Sequence, residues 1–475
     1  MKRIFTAFMM MLCAACVASA ANYLTFTAEE DGSSFGIVNN KNTPDVQYSL
    51  DGGETWSALK GGNTITLVHK GDKALLRGNN PKGFSRENNH SYFTMTGKIA
   101  ASGSVMSLID GEGESLTIPN SVCFSALFSG CKSLTQAPEL PATTLTEGCY
   151  KGMFWGCKSL TKAPELPATT LAEGCYGLMF YDCTSLTQTP KLPATTLTES
   201  CYTGMFLGCT SLTKAPELPA TTLAERCYFS MFGNCSGLLQ APELPATSLA
   251  SYCYFGMFRN CSGLLQAPEL PATSLASHCY SGMFSGCTSL TNAPELPATT
   301  LEGYCYKEMF SGCTSLTKAP ELPATSLAEG CYQLMFYDCA NLTQAPELPA
   351  TKLAVACYQY MFMKCEKLEK APALPAPVLA YGCYQGMFSG CTNLTKAPEL
   401  PATSLAYGCY QGMFSSCTNL SEINVSFDKW IDESSETSEW VVNVGPTGTF
   451  ICPKALSLEY GENRIPKGWK VKYID

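Results

Sequence analysis

The stretch that decides the fold is Ala272–Pro297, which reads ATSLASHCYSGMFSGCTSLTNAPELP. Near-copies of it follow one another at a spacing of 26 residues. Each copy has two cysteines eight positions apart, and twelve such pairs run without insertion or deletion from Cys123/Cys131 to Cys409/Cys417. A fixed period of this length is typical of a solenoid, in which each unit buries its apolar face against its neighbours.

The first half of each repeat is predicted to be a helix. In Thr170–Cys183 the apolar residues fall on one side of a helix; they are Leu171, Cys175, Tyr176, Met179, Phe180 and Cys183. Thr170 and Glu173 form a capping box at its start. In half of the copies a glycine such as Gly156 precedes the second cysteine and provides a C-terminal stop.

The second half of each repeat is predicted to be a short strand, as in Cys313–Pro323. Pro320 and Pro323 have no N–H group to donate, so the paired strand is limited to about three or four residues around Leu316–Ala319. The sequence therefore predicts an α/β solenoid of the leucine-rich-repeat type. It is a right-handed superhelix with one short parallel strand and one helix per 26-residue repeat, covering residues 116–420.

A resemblance adds to this prediction. The phrase MFSGCTSLT at Met283–Thr291, nearly repeated at Met309–Thr317, resembles the A-F-x-x-C-x-x-L core of BspA-like leucine-rich-repeat surface proteins. That resemblance implies an exported protein of anaerobic bacteria with a role in adhesion to host proteins and other cells. The repeat of this chain is longer than the usual family repeat by one predicted helical turn, which carries the first Cys-Tyr pair.

The segment 1–20 is predicted to be a signal peptide. Lys2 and Arg3 precede an apolar run, and Ala18–Ala20 (ASA) forms an A-x-A cleavage site. The run is too short for a membrane span. In the alternative interpretation Cys16 is a lipidated residue and serves as a lipid anchor. Both predict an exported protein that is extracellular or associated with the cell surface or outer membrane.

Residues 21–115 are predicted to form a small N-terminal all-β domain, similar to a β-sandwich, because short alternating segments are separated by turn residues. Within it Ser49–Trp56 has the pattern S-x-D-x-G-x-T-W and resembles the Asp-box of sialidase propellers. A single copy cannot build a propeller, so a stable hairpin turn is expected. Residues 421–475 are predicted to be a C-terminal β cap, with strands that include Trp440–Val444.

Composition argues against several classes of function. The formal net charge of −9 disfavours nucleic acid as a partner. The sequence holds no nucleophile elbow, zinc-protease motif or phosphate loop, so we expect no catalytic site, cofactor or metal site. The 24 repeat cysteines are predicted to be buried thiols, because residues eight apart on a helix lie about 12 Å apart and cannot form a disulfide.

One surface feature is a candidate binding site. Glutamate recurs after the same proline in nine repeats, and this stripe is interrupted by Lys191 and Ala373; its members are Glu139, Glu165, Glu217, Glu243, Glu269, Glu295, Glu321, Glu347 and Glu399. The stripe could bind a basic partner or divalent cations, or it could be a solvated edge copied with the repeat. A tyrosine column could form a glycan-stacking ladder or pack in the core; it includes Tyr150, Tyr176, Tyr202, Tyr280, Tyr306 and Tyr332.

The favoured hypothesis is an exported, non-enzymatic protein, monomeric, that binds protein or glycan on host or bacterial surfaces through an extended solenoid face. One alternative is glycan binding or glycan processing by the N-terminal Asp-box domain. Another is a structural spacer, which the similarity of the copies also fits.

Overall fold

The computed structural model describes residues 21–39, 43–87, 89–431 and 435–474 of the 475-residue chain. The predicted signal peptide, with Cys16 and the cleavage site after Ala20, lies outside the described residues. Within them the chain forms thirteen strands and a single one-turn helix, α1 (Ser107–Asp110). Most of the repeat array consists of hydrogen-bonded turns and short parallel bridges.

The N-terminal segment contains two antiparallel sheets. Its strands are β1 (Leu24–Ala28), β2 (Ser33–Asn39), β3 (Gln47–Ser49), β4 (Ser57–Ala58), β5 (Thr64–Leu67), β6 (Lys73–Arg77), β7 (Ser91–Thr96) and β8 (Ile99–Ser102). One sheet has the order β4-β3-β6-β1-β8, and the other has the order β5-β2-β7. Their inner faces meet at Phe26 of β1, whose ring centroid lies 5.1 Å from those of both Phe35 and Phe93.

The first of these sheets continues into the repeat array. Strand β8 pairs in parallel with β9 (Leu134–Gln136), which belongs to the first repeat, and Ile99 is opposite Leu134. The ring of Phe93 also stacks on Phe128 of that repeat at 5.5 Å. The N-terminal sheets therefore cover the apolar end that the first repeat would otherwise expose to water.

The helix predicted in each repeat is wrong. In Thr146–Cys157 and the equivalent segments, which we call the turn ladder, alternate amides have different acceptors. The N–H groups of residues 149, 151, 153, 155 and 157 donate to the carbonyl three residues earlier, at 3.0–3.2 Å. Those of residues 148, 150, 152, 154 and 156 donate to a carbonyl 25 residues later, at 2.7–3.0 Å. Half of the amides thus close local turns, and half join neighbouring repeats.

Glycine spacing explains why turns form instead of a helix. Gly148, Gly152 and Gly156 all have positive φ, at 56°, 60° and 71°. Each occupies the third position of a local turn, where a type II turn requires positive φ. Buried apolar residues such as Cys149 and Met153 are also four positions apart. In an α-helix, residues four positions apart differ in direction by about 40°, so such a row would wind around the helix. A period of four therefore matches a row of turns better than a helix.

The predicted strand is shorter than expected in most repeats. Around Leu316–Ala319 it is a single parallel bridge between Lys318 and Gln344. A second column of bridges joins residues further along the coil, for example Thr196 to Thr222. Only β9 and β10 (Lys396–Leu400) in the array extend beyond one bridging residue within the described part of the chain. The flanking prolines remove the N–H groups that a longer ladder would need.

The core is built from stacked columns of identical side chains. Successive phenylalanines from Phe128 to Phe414 lie 5.5–5.9 Å apart with nearly parallel rings. The tyrosine column from Tyr150 to Tyr410 stacks in the same way, and its members are at most 2% exposed. The tyrosines are therefore core residues, and they are not available as a glycan-stacking ladder.

The C-terminal segment closes the array. Strands β11 (Glu422–Val425), β12 (Thr449–Cys452) and β13 (Lys470–Tyr473) continue β10 as a parallel sheet. The predicted strand Trp440–Val444 is wrong, because this stretch adds one more layer to the turn ladder. The N–H of Phe414 donates to the carbonyl of Trp440 at 2.9 Å, and the buried indole lies 6.2 Å from the Phe414 ring. Trp440 therefore caps the phenylalanine column.

Candidate binding face

The predicted glutamate stripe lies on one exposed face of the array. We call this the Pro-Glu face, and it consists of the residues equivalent to Lys318–Pro323 in each repeat. Within that segment Ala319 and Leu322 are buried, whereas Lys318 and Glu321 are exposed. All nine glutamates of the predicted stripe are exposed, and so are Lys191 and Ala373 at the two interruptions. The alternation with buried alanine and leucine directs each carboxylate towards solvent.

Shallow clefts separate neighbouring repeats on this face. One cleft of about 450 Å³ is lined by Asn292–Pro297, Lys318–Glu321 and Pro323. A similar cleft of about 440 Å³ is lined by Lys214–Pro219, Gln240–Glu243 and Pro245. Prolines line both clefts, and because their backbone φ is fixed these clefts keep their shape without a ligand.

Charge is not evenly distributed along the Pro-Glu face. The residue three positions before the stripe position is lysine in five repeats, namely Lys162, Lys214, Lys318 and Lys396, which precede glutamates, and Lys370, which precedes Ala373. At the C-terminal end Lys396 forms an ion pair with Glu422 at 2.6 Å, and the hydrogen bond to Glu422 raises the pKa of Lys396. Between Lys214 and Lys318 the same position holds Gln240, Gln266 and Asn292. The three central repeats therefore have no lysine of their own at this position, and Lys214 and Lys318 lie in the clefts at the two ends of this stretch.

The outer surface of the turn ladder has an aromatic column that sequence reasoning missed. Tyr252, His278 and Tyr304 stack with centroid distances of 4.6 and 5.0 Å. The guanidinium of Arg226 lies 5.1 Å above the Tyr252 ring, and the ammonium of Lys307 lies 5.8 Å from Tyr304. Each ring face in this column is thus opposed by another ring or a cation, so the column packs on itself.

The structure places His278 inside this column, where it is partly buried. Burial lowers the pKa of His278, and the charge of Lys307 lowers it further. It also has positive φ, as do Tyr252 and Tyr304. The sequence does contain a sign of this conformation, because these three residues occupy the position that Gly148 and Gly174 occupy in other repeats.

The 25 cysteines in the described part of the chain are free thiols, and all are buried. The second cysteine of every repeat donates its S–H to a phenylalanine carbonyl of the preceding layer, at 3.0–3.2 Å. Burial raises the pKa of thiols such as Cys183 to about 12. The earlier argument from helical rise does not apply to a turn ladder, but the interpretation as core thiols is confirmed. These thiols are poor nucleophiles because the thiolate is disfavoured.

The Asp-box residues close a turn. The Asp51 carboxylate accepts the Ser49 hydroxyl at 2.7 Å and the Thr55 backbone N–H at 2.9 Å. Hydrogen bonds from Thr55, followed by the one from Ser49, lower the pKa of Asp51. The Trp56 indole donates to the carbonyl of Gly53 at 3.1 Å, and the Arg77 guanidinium lies 4.0 Å above its ring. Both side chains are thus engaged in holding the hairpin together.

Within the part of the chain that the structure describes, no helix is long and apolar enough to cross a membrane. Among the same residues no group of three or more His, Cys, Asp or Glu side chains is arranged to hold a metal ion.

Comparison with known proteins gives one match. A family model described as "BspA type Leucine rich repeat region (6 copies)" matches residues 112–238, 205–343 and 332–434. These ranges overlap and together span more than two thirds of the chain. No curated protein and no solved structure matches it.

Proposed function

The chain belongs to the BspA-type leucine-rich-repeat family, and from that premise we propose that it is an exported, non-enzymatic adhesion protein of the cell surface. Membership in this family suggests a surface-associated repeat protein that binds other molecules. The partner we propose is a protein or glycan on host or bacterial surfaces. The binding surface we propose is the Pro-Glu face, including the nine glutamates of the stripe.

The observation that carries this proposal is the repetition of one exposed face along the whole array. Solenoids use such extended surfaces for binding, because each repeat adds the same few contacts. An enzyme active site instead gathers unlike groups in one enclosed pocket. The clefts of the Pro-Glu face are shallow, and each has nearly the same lining in the next repeats. Such a surface is suited to recognising a long partner.

The remaining parts of the proposal follow from charge and from the N-terminus. A net charge of −9 makes nucleic acid an unfavourable partner. Cleavage after Ala20 would release the mature chain, whereas lipidation of Cys16 would tether it to the membrane. The protein would be a monomer in both cases. In either case the array would be displayed outside the cytoplasm.

A spacer role is the second candidate, and the near-identity of the repeats favours it. The N-terminal glycan hypothesis has less support, because the Asp51 carboxylate and the Trp56 ring are engaged within the hairpin.

The proposal is tested with the mature chain, residues 21–475, on arrays of host matrix proteins, glycans and bacterial cells. The variant E165A/E217A/E321A/E347A removes four carboxylates from the Pro-Glu face. It should keep the fold, because Ala373 occupies the same position naturally. The control E147A/E173A/E302A/E366A removes four exposed glutamates elsewhere.

We expect the first variant to lose binding and the control to retain it. Equal binding by both variants would contradict a role for the Pro-Glu face. Absence of binding by the unmodified chain across all arrays would favour the spacer.

A further inference from the structure

We infer that the central repeats of the Pro-Glu face, between Lys214 and Lys318, form a docking patch for an extended protein segment that carries lysine or arginine next to aliphatic side chains. This inference rests on the proposed function, since it names the partner class and the position of binding on the same face. Its evidence is a pair of exposed leucines four residues before the glutamates of two of these repeats, and three successive repeats that have no lysine of their own on this face.

The apolar part of the patch is formed by Leu239 and Leu265, which are 52% and 53% exposed. Their backbones are neighbours, because the N–H of Leu265 donates to the carbonyl of Leu239. Most other repeats have threonine at this position, including Thr161, Thr187, Thr213, Thr291, Thr317 and Thr343. The fold therefore does not need leucine here. Two adjacent exposed leucines provide apolar area that a partner can cover.

The acidic part of the patch is formed by Glu243, Glu269 and Glu295, which are all exposed. The bridges Gln240↔Gln266 and Gln266↔Asn292 join three successive neutral amides at the position where five of the other repeats have lysine. Among the described residues none of these three carboxylates takes part in an ion pair. Basic side chains of a partner would occupy the place left by the missing lysines.

The dimensions of the patch favour an extended partner. Adjacent core rings in these repeats lie 5.7–5.8 Å apart, and strands joined by parallel bridges lie about 4.8 Å apart, so equivalent positions of successive layers are about 5–6 Å apart. Side chains on one side of an extended chain are spaced by about 6.6 Å. A segment with basic residues at alternate positions would thus meet the three carboxylates in turn, and long lysine side chains can absorb the small mismatch. Their aliphatic stems can pack on apolar surface such as the leucine pair.

Proline-lined clefts lie at both ends of the patch. The cleft lined by Lys214–Pro219, Gln240–Glu243 and Pro245 is at one end, and that lined by Asn292–Pro297, Lys318–Glu321 and Pro323 is at the other. Their rigid walls reduce the ordering that binding requires.

The test uses the mature chain and a short fluorescent peptide of alternating lysine and leucine, with binding followed by anisotropy. The variant Q240K/Q266K/N292K introduces the lysine that five other repeats carry at this position. The control Q136K/Q188K/Q344K adds the same charge outside the patch. The variant L239T/L265T restores the common threonine, and it should fold because Thr187 and Thr343 occupy this position elsewhere.

We expect the patch lysines to weaken binding by about tenfold, since three exposed charge contacts together have about this effect. The control should change binding by less than about twofold. L239T/L265T should also weaken it, and peptides of alternating glutamate and leucine should not bind. Equal weakening by patch and control lysines would overturn the inference. Equal binding of a lysine–serine peptide would also overturn it, as would a dimer, detected by light scattering, in which a second copy occupies the patch. If E165A/E217A/E321A/E347A abolishes surface binding while the patch variants do not, the proposed function stands and this inference fails.

Discussion

Replacing glycine by alanine in the turn ladder tests its backbone directly, because a helix and a row of turns predict opposite signs. Gly174 and Gly412 have φ of 56° and 62°, and a Cβ added at either would meet no atom within 4 Å. The effect of G174A/G412A is therefore conformational and not steric. Alanine in the left-handed region is unfavourable by about 1–2 kcal/mol per residue. The pair should then lower the free energy of unfolding by about 2–4 kcal/mol.

In a helix the same two substitutions would raise stability by about 1 kcal/mol each. Urea unfolding of the mature chain, followed by circular dichroism and tyrosine fluorescence, measures the difference. Gly303 provides the control, because its φ is not positive and an added Cβ would meet only the Glu329 carbonyl at 3.8 Å. We expect G303A to be neutral or slightly stabilising. A higher urea midpoint for G174A/G412A would refute the turn-ladder description.

Three other predictions follow from the core and the two ends. Folding raises thiol pKa values from 9.0 to about 12, as at Cys183. The contribution of the buried thiols to the free energy of unfolding is therefore complete below pH 9 and is lost as the pH rises towards 12. Urea midpoints measured as a function of pH test this loss, and constant midpoints across that range would argue against buried thiols. W440A should expose Phe414, the last ring of the phenylalanine column, and lower local stability by about 3–5 kcal/mol. Amide hydrogen exchange should then rise first near Phe414, and a uniform rise along the array would contradict a capping role for Trp440. D51A should lower the melting temperature of the N-terminal sheets by removing the acceptor of Ser49 and Thr55 and leave surface binding unchanged; loss of binding by the folded variant would instead favour the Asp-box hypothesis.

The repeat could be predicted from the sequence because its period is undisturbed. Twelve cysteine pairs at one spacing indicate stacked units whatever the local backbone is. The exposure of Glu295 and its equivalents also follows from alternation with buried leucine and alanine. Both are properties of one short segment repeated, so no long-range information is needed.

The helix was predicted wrongly because periods of 3.6 and four residues differ little over a dozen positions. The distinguishing signal is the residue with positive φ at every fourth position. It is clear in Gly148, Gly152 and Gly156 but hidden where Leu178 or Tyr252 takes the same conformation. Leucine and tyrosine rarely adopt positive φ in isolation. Here the hydrogen bonds to both neighbouring repeats hold them in it.

Features that depend on distant parts of the chain could not be predicted. The pairing of Ile99 with Leu134 joins two segments that share no sequence pattern. Trp440 lies in a segment without the cysteine spacing, so its place on the phenylalanine column became visible only in three dimensions. The same is true of the stack of Tyr252, His278 and Tyr304, in which residues 26 apart become neighbours.

Carboxyl footprinting of the mature chain, free and bound to a matrix protein or bacterial cell that it recognises, tests the central claim most directly. Carbodiimide coupling followed by mass spectrometry reports the accessibility of each glutamate. We predict that binding protects the nine glutamates of the Pro-Glu face and leaves Glu147 and Glu173, which are exposed on the turn ladder, unprotected. Protection confined to the N-terminal sheets, or to the turn ladder, would contradict the claim that the Pro-Glu face is the binding surface.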